Sequence, residues 1–413
     1  MTAPTTTSTD ETVESDEKPT VLFVDDDVDV LEGLRLTLRS VRSRFRLSFA
    51  NGADDALAML DSQPVDVVVS DARMPGCNGA ELLHEAAYRQ PGTVRYVLSG
   101  QASEALILGA MPVAHRWFAK PLDRDALVAA LDDAVHQRSV LVDPEVRTAV
   151  NGTGTMPMPS DHYIELRALL ADPDAEIDDV LPVVASDPAI AAKLLQWANA
   201  DFSGTVPVTD LRNAVAAVGL PTLSQLTLLS GIGDTFGDHN QIPGMDPELY
   251  RRHVDALVAV STVGLDDPGD VERARTLAVL SMTGLLLAAS VLPDRLAEAF
   301  DHAERNGVSL LEAEQTLHGI NHAQLTGQLL MLWGLPAELA VGATESHGLP
   351  LPDGDAPDSP LEAVRRAHLL AQRMPHATRL GLPHCVKVDD ELDGFIDGWL
   401  DDARSELGSD AVD

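Results

Sequence analysis

The chain has 413 residues, enough for about two or three domains, and 45% of them are hydrophobic. Its formal net charge of -36 repels phosphate backbones and anionic membranes, which argues against a general nucleic-acid binder. Two cysteines, Cys77 and Cys385, give no disulfide framework and are typical of a protein in a reducing cytoplasm.

The amino-terminal segment, residues 1–18, is a low-complexity acidic tail rich in Thr and Ser. It has too few apolar residues to order itself and lacks the apolar core of a signal peptide, so we expect a disordered tail. Two uncharged stretches, residues 214–233 and 276–293, are short or interrupted for a membrane span. We therefore predict buried helices there and no membrane contact.

Residues 19–138 alternate between short apolar runs and helical patterns. The apolar runs lie at residues 20–24, 45–49, 65–69, 94–98 and 116–119. The helical patterns lie at residues 28–41, 53–60, 80–88, 103–108 and 123–135. Continuous β-branched runs bounded by turn formers are typical of strands that are buried on both faces. The alternation predicts an α/β fold with a doubly wound, five-stranded parallel sheet.

Polar side chains follow four of the predicted strands. Asp25 and Asp26 follow the first, Asp71 the third, Ser99 the fourth and Lys120 the fifth. Taken alone, Asp71 is explained equally well as a helix cap, but the ends of parallel strands meet at one edge of a sheet. Clustered carboxylates repel one another, and a hard cation such as Mg²⁺ removes that repulsion. Three carboxylates with a lysine and a hydroxyl beside them are suited to phosphoryl transfer to one of the carboxylates.

These strand ends resemble the receiver domain of two-component response regulators, over about residues 19 to 138. The matching segments are Phe23-Val24-Asp25-Asp26, Asp71-Ala72-Arg73-Met74-Pro75, Gly79, Leu98-Ser99-Gly100 and Phe118-Ala119-Lys120-Pro121. The resemblance implies a flavodoxin-like fold and phosphorylation by a sensor histidine kinase.

The same resemblance implies a role for each residue at the sheet edge. Asp71 is the phosphoacceptor, Lys120 binds the phosphoryl oxygens, Ser99 reports phosphorylation and Trp117 is the aromatic switch residue. The implied ligands of Mg²⁺ are the side chains of Asp25, Asp26 and Asp71 and the backbone carbonyl of Arg73.

After residue 138 the sequence changes character. Residues 139–159 contain Asn151-Gly152-Thr153-Gly154-Thr155, and we predict a flexible linker. Residues 160–350 predict an all-α domain, in which Ile190, Leu194 and Trp197 form one apolar stripe that packs into the core. The segments from Asp187 to Leu195 and from His322 to Pro336 resemble an HDOD domain, a relative of the HD and HD-GYP metal phosphohydrolases.

The hydrolase relatives use a His-Asp dyad and further histidines to hold metal ions. Alignment on Gly284 places Ser281 and Met282 at the dyad, which removes a nitrogen ligand and a bridging carboxylate. The histidines at positions similar to the remaining ligands are His253, His322 and His347. We expect them to be packing or surface residues, and we expect a regulatory module rather than an enzyme.

The resulting hypothesis is a cytoplasmic response regulator in which Asp71 phosphorylation switches protein contacts of a non-catalytic HDOD domain. The expected partners are a sensor histidine kinase and a downstream signalling protein, and a homodimer is allowed; no direct nucleic-acid partner is expected. The alternative is a receiver-controlled HD-type phosphodiesterase. Residues 351–413 are predicted as a helical extension, with helices at 361–373 and 389–407 whose acidic faces are solvated.

Overall fold

The computed structural model describes residues 18–100, 109–156, 160–200, 206–232, 247–348, 357–373 and 403. The predicted acidic tail up to residue 17 and the predicted helices at 103–108 and 389–407 lie outside the described residues, apart from Ala403.

Five parallel strands form one sheet in the order β2-β1-β3-β4-β5. They are β1 Thr20–Asp25, β2 Arg46–Asn51, β3 Val67–Asp71, β4 Val94–Ser99 and β5 Arg116–Ala119. Every residue of β1, β3 and β4 is buried, as their continuous apolar runs predict. The predicted doubly wound fold is confirmed.

Helices cover both faces of this sheet. They are α1 Val28–Thr37, α2 Ala53–Ser62, α3 Gly79–Arg89 and α4 Arg124–Val140, with a 3₁₀ turn at Arg39–Val41. Leu31 and Leu127 pack on one face of the sheet, and Leu60 and Leu82 pack on the other. Asn78 begins α3 with a capping box, because its side chain accepts from the Glu81 amide while the Glu81 carboxylate accepts from the Asn78 amide.

The predicted linker contains a helix, α5, over Pro144–Gly152. Asp143 caps it and Pro144 occupies its first turn, while Val146 and Val150 are buried. The Asn151 amide donates to the carbonyl of Gly92 at 2.9 Å. The prediction of a flexible segment is therefore wrong for residues 144–152, because an apolar helix face and a buried polar side chain hold them in place.

The rest of the described chain is helical. The helices are α6 Ser160–Ala171, α7 Ile177–Ala185, α8 Pro188–Ala198, α9 Leu211–Val218, α10 Leu220–Ile232, α11 Pro247–Val260, α12 Pro268–Ser281, α13 Thr283–Val291, α14 Pro293–Asn306, α15 Leu310–His318, α16 His322–Leu332, α17 Ala337–Glu345 and α18 Pro360–Arg373. The stretch Pro268–Val291 is long and apolar enough to cross a membrane, yet 83% of its most apolar window is buried inside the protein, as in core helices.

Helix α18 belongs to the body of the helical domain, since it packs on α11 and α12. Val364 and Leu370 are buried, and Glu362 forms a buried ion pair with Arg366 at 2.5 Å. The prediction of a solvated acidic face is therefore wrong for this helix, because its acidic residue is neutralised one turn further along.

Candidate functional site

Three carboxylates meet at the carboxyl edge of the sheet. Asp25 ends β1, Asp71 ends β3, and Asp26 follows Asp25. One ligand oxygen from each lies within 4.8 Å of the other two, and within the described ranges this is the one group of three or more His, Cys, Asp or Glu side chains so arranged. Asp25 and Asp71 are buried while Asp26 is exposed. The predicted convergence of these strand ends is confirmed.

Lys120 lies between two of these acids. Its Nζ is 2.8 Å from Oδ2 of Asp25 and 2.5 Å from Oδ1 of Asp71. Burial lowers the pKa of Lys120, but its hydrogen bonds to the two carboxylates outweigh burial and raise that pKa above its ordinary value. The lysine therefore stays charged and neutralises part of the acidic cluster.

The backbone fixes both buried carboxylates. The Arg73 amide donates to Oδ2 of Asp71 at 3.1 Å, and the Asp27 amide donates to Oδ1 of Asp25 at 2.9 Å. A Cβ at position 79 would lie 2.2 Å from the carbonyl oxygen of Asp71, so only glycine fits there. Gly79 thus lets α3 begin directly against the end of β3.

Ser99 and Lys120 are joined through the backbone. Ser99 ends β4 and is buried, and its hydroxyl donates to the carbonyl of Gly100 at 3.2 Å. The amide of Lys120 donates to the carbonyl of Ser99 at 2.7 Å. The serine therefore lies at the same edge of the sheet as the acids, on the strand next to Asp71.

Trp117 lies at a contact between the sheet and the helical domain. Its ring packs edge-on against that of Trp197 of α8, with 6.4 Å between the ring centroids. Trp197 and Trp117 share one hydrophobic cluster with receiver-side residues such as Met111. The prediction that Ile190, Leu194 and Trp197 form one stripe in the helical core holds for the first two, which join the other cluster, and is wrong for Trp197.

Further polar contacts join the two parts of the chain. The Arg116 guanidinium of β5 donates to the carbonyls of Met331 and Leu332 at the end of α16, and it pairs with Asp133 at 2.9 Å. The indole of Trp333 donates to the carbonyl of Thr153 at 3.3 Å. Sequence reasoning missed these contacts, since their partners lie far apart in the chain and no spacing pattern links them.

Ser281, which sequence alignment placed at the hydrolase dyad, belongs to a buried hydrogen-bond network. The Ser281 hydroxyl donates to the carbonyl of Ala278 at 2.7 Å and lies 2.9 Å from Nε2 of His368. Nε2 of His347 lies 3.2 Å from the carbonyl of Ser281, and Nδ1 of His322 lies 2.7 Å from Glu314. Sequence reasoning named His322 and His347 but missed His368, which lies on α18 outside the recognisable motifs.

The imidazoles of His347 and His368 are uncharged in the folded protein. Burial lowers the pKa of His347 to about 3 and that of His368 well below its ordinary value. The His347 ring lies 5.0 Å from the ring of His322 and 4.1 Å from that of His368, measured between centroids. The rings of His322 and His347 meet edge-on and those of His347 and His368 are tilted, so these three buried or half-buried side chains pack against one another.

Comparisons with known proteins find two domain families in this chain. A family model of the response regulator receiver domain matches residues 21–132, and one of the HDOD domain matches residues 156–349. The hydrogenase transcriptional regulatory protein HoxA of Cupriavidus necator is 37% identical over 142 residues, which are 33% of this chain and 29% of that protein. The transcriptional regulatory protein FixJ of Bradyrhizobium diazoefficiens is 32% identical over 121 residues, covering 28% of this chain and 57% of that protein.

Two solved structures are also similar. The signal receiver domain of an HD domain-containing protein from Pseudomonas fluorescens is 32% identical, with a TM-score of 0.29, and covers 30% of this chain and 98% of that one. The MmoQ response regulator from Methylococcus capsulatus is 22% identical, with a TM-score of 0.43, and covers 59% of this chain and 98% of that one. The chain spans less than two thirds of the curated relatives named above. From the family matches and the acidic pocket, this protein carries a response regulator receiver domain followed by an HDOD domain.

Proposed function

We propose that this protein is a phosphorylation-switched response regulator with a non-catalytic HDOD output domain. The observation that carries the proposal is the arrangement of Lys120, whose Nζ contacts both Asp25 and Asp71 at the edge of the sheet. A carboxylate held beside a cation and two further acids is a nucleophile with charge stabilisation already in place.

The proposed reaction is transfer of a phosphoryl group from a phosphohistidine of a sensor kinase to Asp71. A carboxylate oxygen of Asp71 forms the bond to phosphorus, the bond from phosphorus to the histidine nitrogen breaks, and that nitrogen takes up a proton. Lys120 supplies positive charge to the phosphoryl oxygens. Ser99, on the neighbouring strand, is placed to hydrogen-bond to the group once it is attached.

The donor set of the pocket fits Mg²⁺. Asp25 and Asp26 with Asp71 offer hard carboxylate oxygens within 4.8 Å of one another, which is the ligand type that this ion prefers. The carbonyl of Arg73, directly after Asp71 and Ala72, completes the proposed ligand set. When bound, the ion neutralises charge on the transferred oxygens.

We expect millimolar Mg²⁺ to raise the melting temperature of the protein, since binding at a hundred times the dissociation constant stabilises the folded state by about 2.7 kcal/mol. Asp26→Asn should lose most of this response, because it removes one of the three proposed carboxylate ligands. The variant should stay folded, since Asp26 is exposed and the ion pairs of Lys120 with Asp25 and Asp71 remain. Thermal melts of both proteins at matched ionic strength, adjusted with NaCl, separate binding from screening of the acidic surface. An equal response in both proteins would contradict the proposed ligand set.

A regulatory HDOD domain is supported by the groups at the dyad position. The hydroxyl of Ser281 and the ring of His368 bind each other, and Met282 is buried. A thioether is a poor ligand for the hard metals of a hydrolase site. The alternative, an HD-type phosphohydrolase, is therefore not favoured.

We propose further that the protein acts in the cytoplasm and signals through protein contacts. The curated relatives are named as transcriptional regulatory proteins, but their matches cover only 33% and 28% of this chain. A net charge of -36 disfavours DNA as the direct partner here.

Affinity capture from the native cell tests this output. We expect a partner whose recovery differs between untreated protein and protein treated with a small phosphodonor, and Asp71→Asn should behave as untreated in both conditions. The comparison is read by mass spectrometry of the captured proteins. Equal recovery in all conditions would indicate a constitutive scaffold and would contradict a phosphorylation-gated output.

A further inference from the structure

Helix α8 carries a polar contact with the receiver domain that the proposed function leaves without a role. Lys193 is buried, and its Nζ donates to the carbonyl of Met111 at 3.3 Å and to Oε1 of Gln196 at 2.7 Å. The amide of Gln196 donates to the carbonyl of His115 at 2.8 Å. One turn of α8 thus binds the receiver segment that leads into β5.

The side-chain amine of Lys193 has the Met111 carbonyl of this segment as one of its few polar partners. Its nitrogen lies 4.2 Å from the centre of the Trp333 ring, and within the described ranges no carboxylate forms an ion pair with it. Burial lowers the pKa of Lys193 well below its ordinary value, and the nearby charge of Arg95 acts in the same direction. A buried amine with few partners is costly, so loss of the Met111 carbonyl favours its exposure to water.

The receiver segment is hydrogen-bonded to strand β4 of the sheet. Buried Arg95 of β4 donates to the carbonyl of Val113 at 2.7 Å, and the His115 amide donates to the carbonyl of Arg95 at 2.8 Å. The segment continues into β5, and Lys120 follows β5 by one residue. The four-residue strand β5 therefore connects the segment that α8 contacts to Lys120, the lysine of the acidic pocket.

A phosphoryl group changes the forces on that strand. It replaces the single negative charge of the Asp71 carboxylate, which Lys120 contacts together with Asp25, by a group that carries roughly 1.5 to 2 negative charges. Lys120 then moves toward the new oxygens, and β5 has a hydrogen-bonded strand neighbour on one side only. The side chains of Arg116 and Trp117 on this strand contact helices α16 and α8.

We propose that Lys193, Gln196 and Trp197 form a latch that holds α8 on the receiver domain while Asp71 is unmodified and opens when Asp71 is phosphorylated. The latch residues occupy one side of α8 at spacings of three and four, where helix neighbours meet. Ile190 and Leu194 on the same helix pack into the other cluster, so release of the latch alters how α8 joins the two domains. This inference rests on the proposed function of Asp71.

Chemical labelling of lysines tests the latch in the full-length protein. The chain has four lysines, Lys18, Lys120, Lys193 and Lys387, so each is read separately by peptide mass spectrometry after treatment with an amine-reactive ester. Lys18 is exposed and provides the internal reference. We expect phosphoramidate with Mg²⁺ to speed labelling of Lys193 by about 5- to 150-fold, the range of typical coupling between sites. Asp71→Asn should show no change.

Two outcomes overturn the latch. Intact mass reports whether a phosphoryl group was added; if it was added and Lys193 stays protected, phosphorylation does not open the latch. A second test does not depend on phosphorylation. Gln196→Leu removes the hydrogen bond that Lys193 donates and the one that the His115 carbonyl accepts. Because these bonds form part of the latch, the variant should show faster labelling of Lys193 without any phosphodonor. The matched control is Ser261→Ala, a buried polar change after α11 whose hydroxyl bonds within its own helix turn. Protection of Lys193 in Gln196→Leu also overturns the latch, whereas failure to phosphorylate the wild type overturns the proposed function instead.

Discussion

Asp71→Asn is expected to reduce covalent labelling by a small phosphodonor to background. The asparagine keeps the shape of the side chain but lacks the carboxylate oxygen that attacks phosphorus. Lys120 retains its 2.8 Å ion pair with Asp25, and one of the clustered negative charges disappears, so the fold should persist. Intact-mass measurement after phosphoramidate treatment gives the result, and circular dichroism confirms that the variant is folded.

The matched control for this experiment is Asp54→Asn. Asp54 is an exposed acid in the first turn of α2, so its replacement changes the net charge by the same amount without touching the pocket. This variant should be labelled like the wild type. Persistent labelling of Asp71→Asn would place the phosphoacceptor elsewhere, and the modified peptide would identify it.

Gly284→Ala is expected to lower the melting temperature of the helical domain more than an ordinary surface change. A Cβ at this position would lie 1.9 Å from the carbonyl oxygen of His322 and 2.5 Å from the hydroxyl of Thr326. It would also break the 2.9 Å hydrogen bond from the Gly284 amide to that hydroxyl. Over-packing of about 1 to 3 kcal/mol corresponds to a fall of roughly 2 to 12 °C in a domain of this size.

Gly33→Ala is the control that separates this clash from a general effect of replacing glycine. Gly33 lies in the exposed face of α1, and a Cβ there meets nothing within 4 Å. Alanine is the better helix former, so this variant should be unchanged or more stable by about 0.5 to 1 kcal/mol. An unchanged melting temperature for Gly284→Ala would show that α13 and α16 do not approach as closely as described.

The receiver fold and its pocket were predictable from sequence for one physical reason. Side chains that follow parallel strands share a sheet edge, so the positions of Asp25, Asp71 and Lys120 in the sequence already place them together. The structure adds that Lys120 contacts both acids, which a pattern of strand ends does not specify.

The contacts between domains were not predictable in the same way. An apolar stripe on a helix has the same spacing whether it faces its own core or a neighbouring domain, so Trp197 looked like Leu194. Lys193 and Gln196 are polar residues whose partners are backbone carbonyls far away in sequence, and carbonyls leave no sequence signal.

The helix α5 shows a signal that sequence reasoning passed over. Asp143-Pro144 repeats the cap and first-turn arrangement of Asp187-Pro188 at the start of α8. The Gly- and Thr-rich residues just after α5 dominated the interpretation of the segment and suggested a flexible linker. A helix start of this kind can therefore outweigh a neighbouring turn-rich sequence.

Strand β5 also has a consequence for the solubility of the receiver domain. An edge strand exposes unpaired backbone groups that can pair with strands of other chains, and proteins shield such edges with short strands or covering elements. β5 ends the sheet, is four residues long and has α8 and α16 against its Trp117 and Arg116. We therefore expect a receiver cut from the chain after residue 138 to lose these helix contacts, to expose its tryptophan and to aggregate more readily than the full chain.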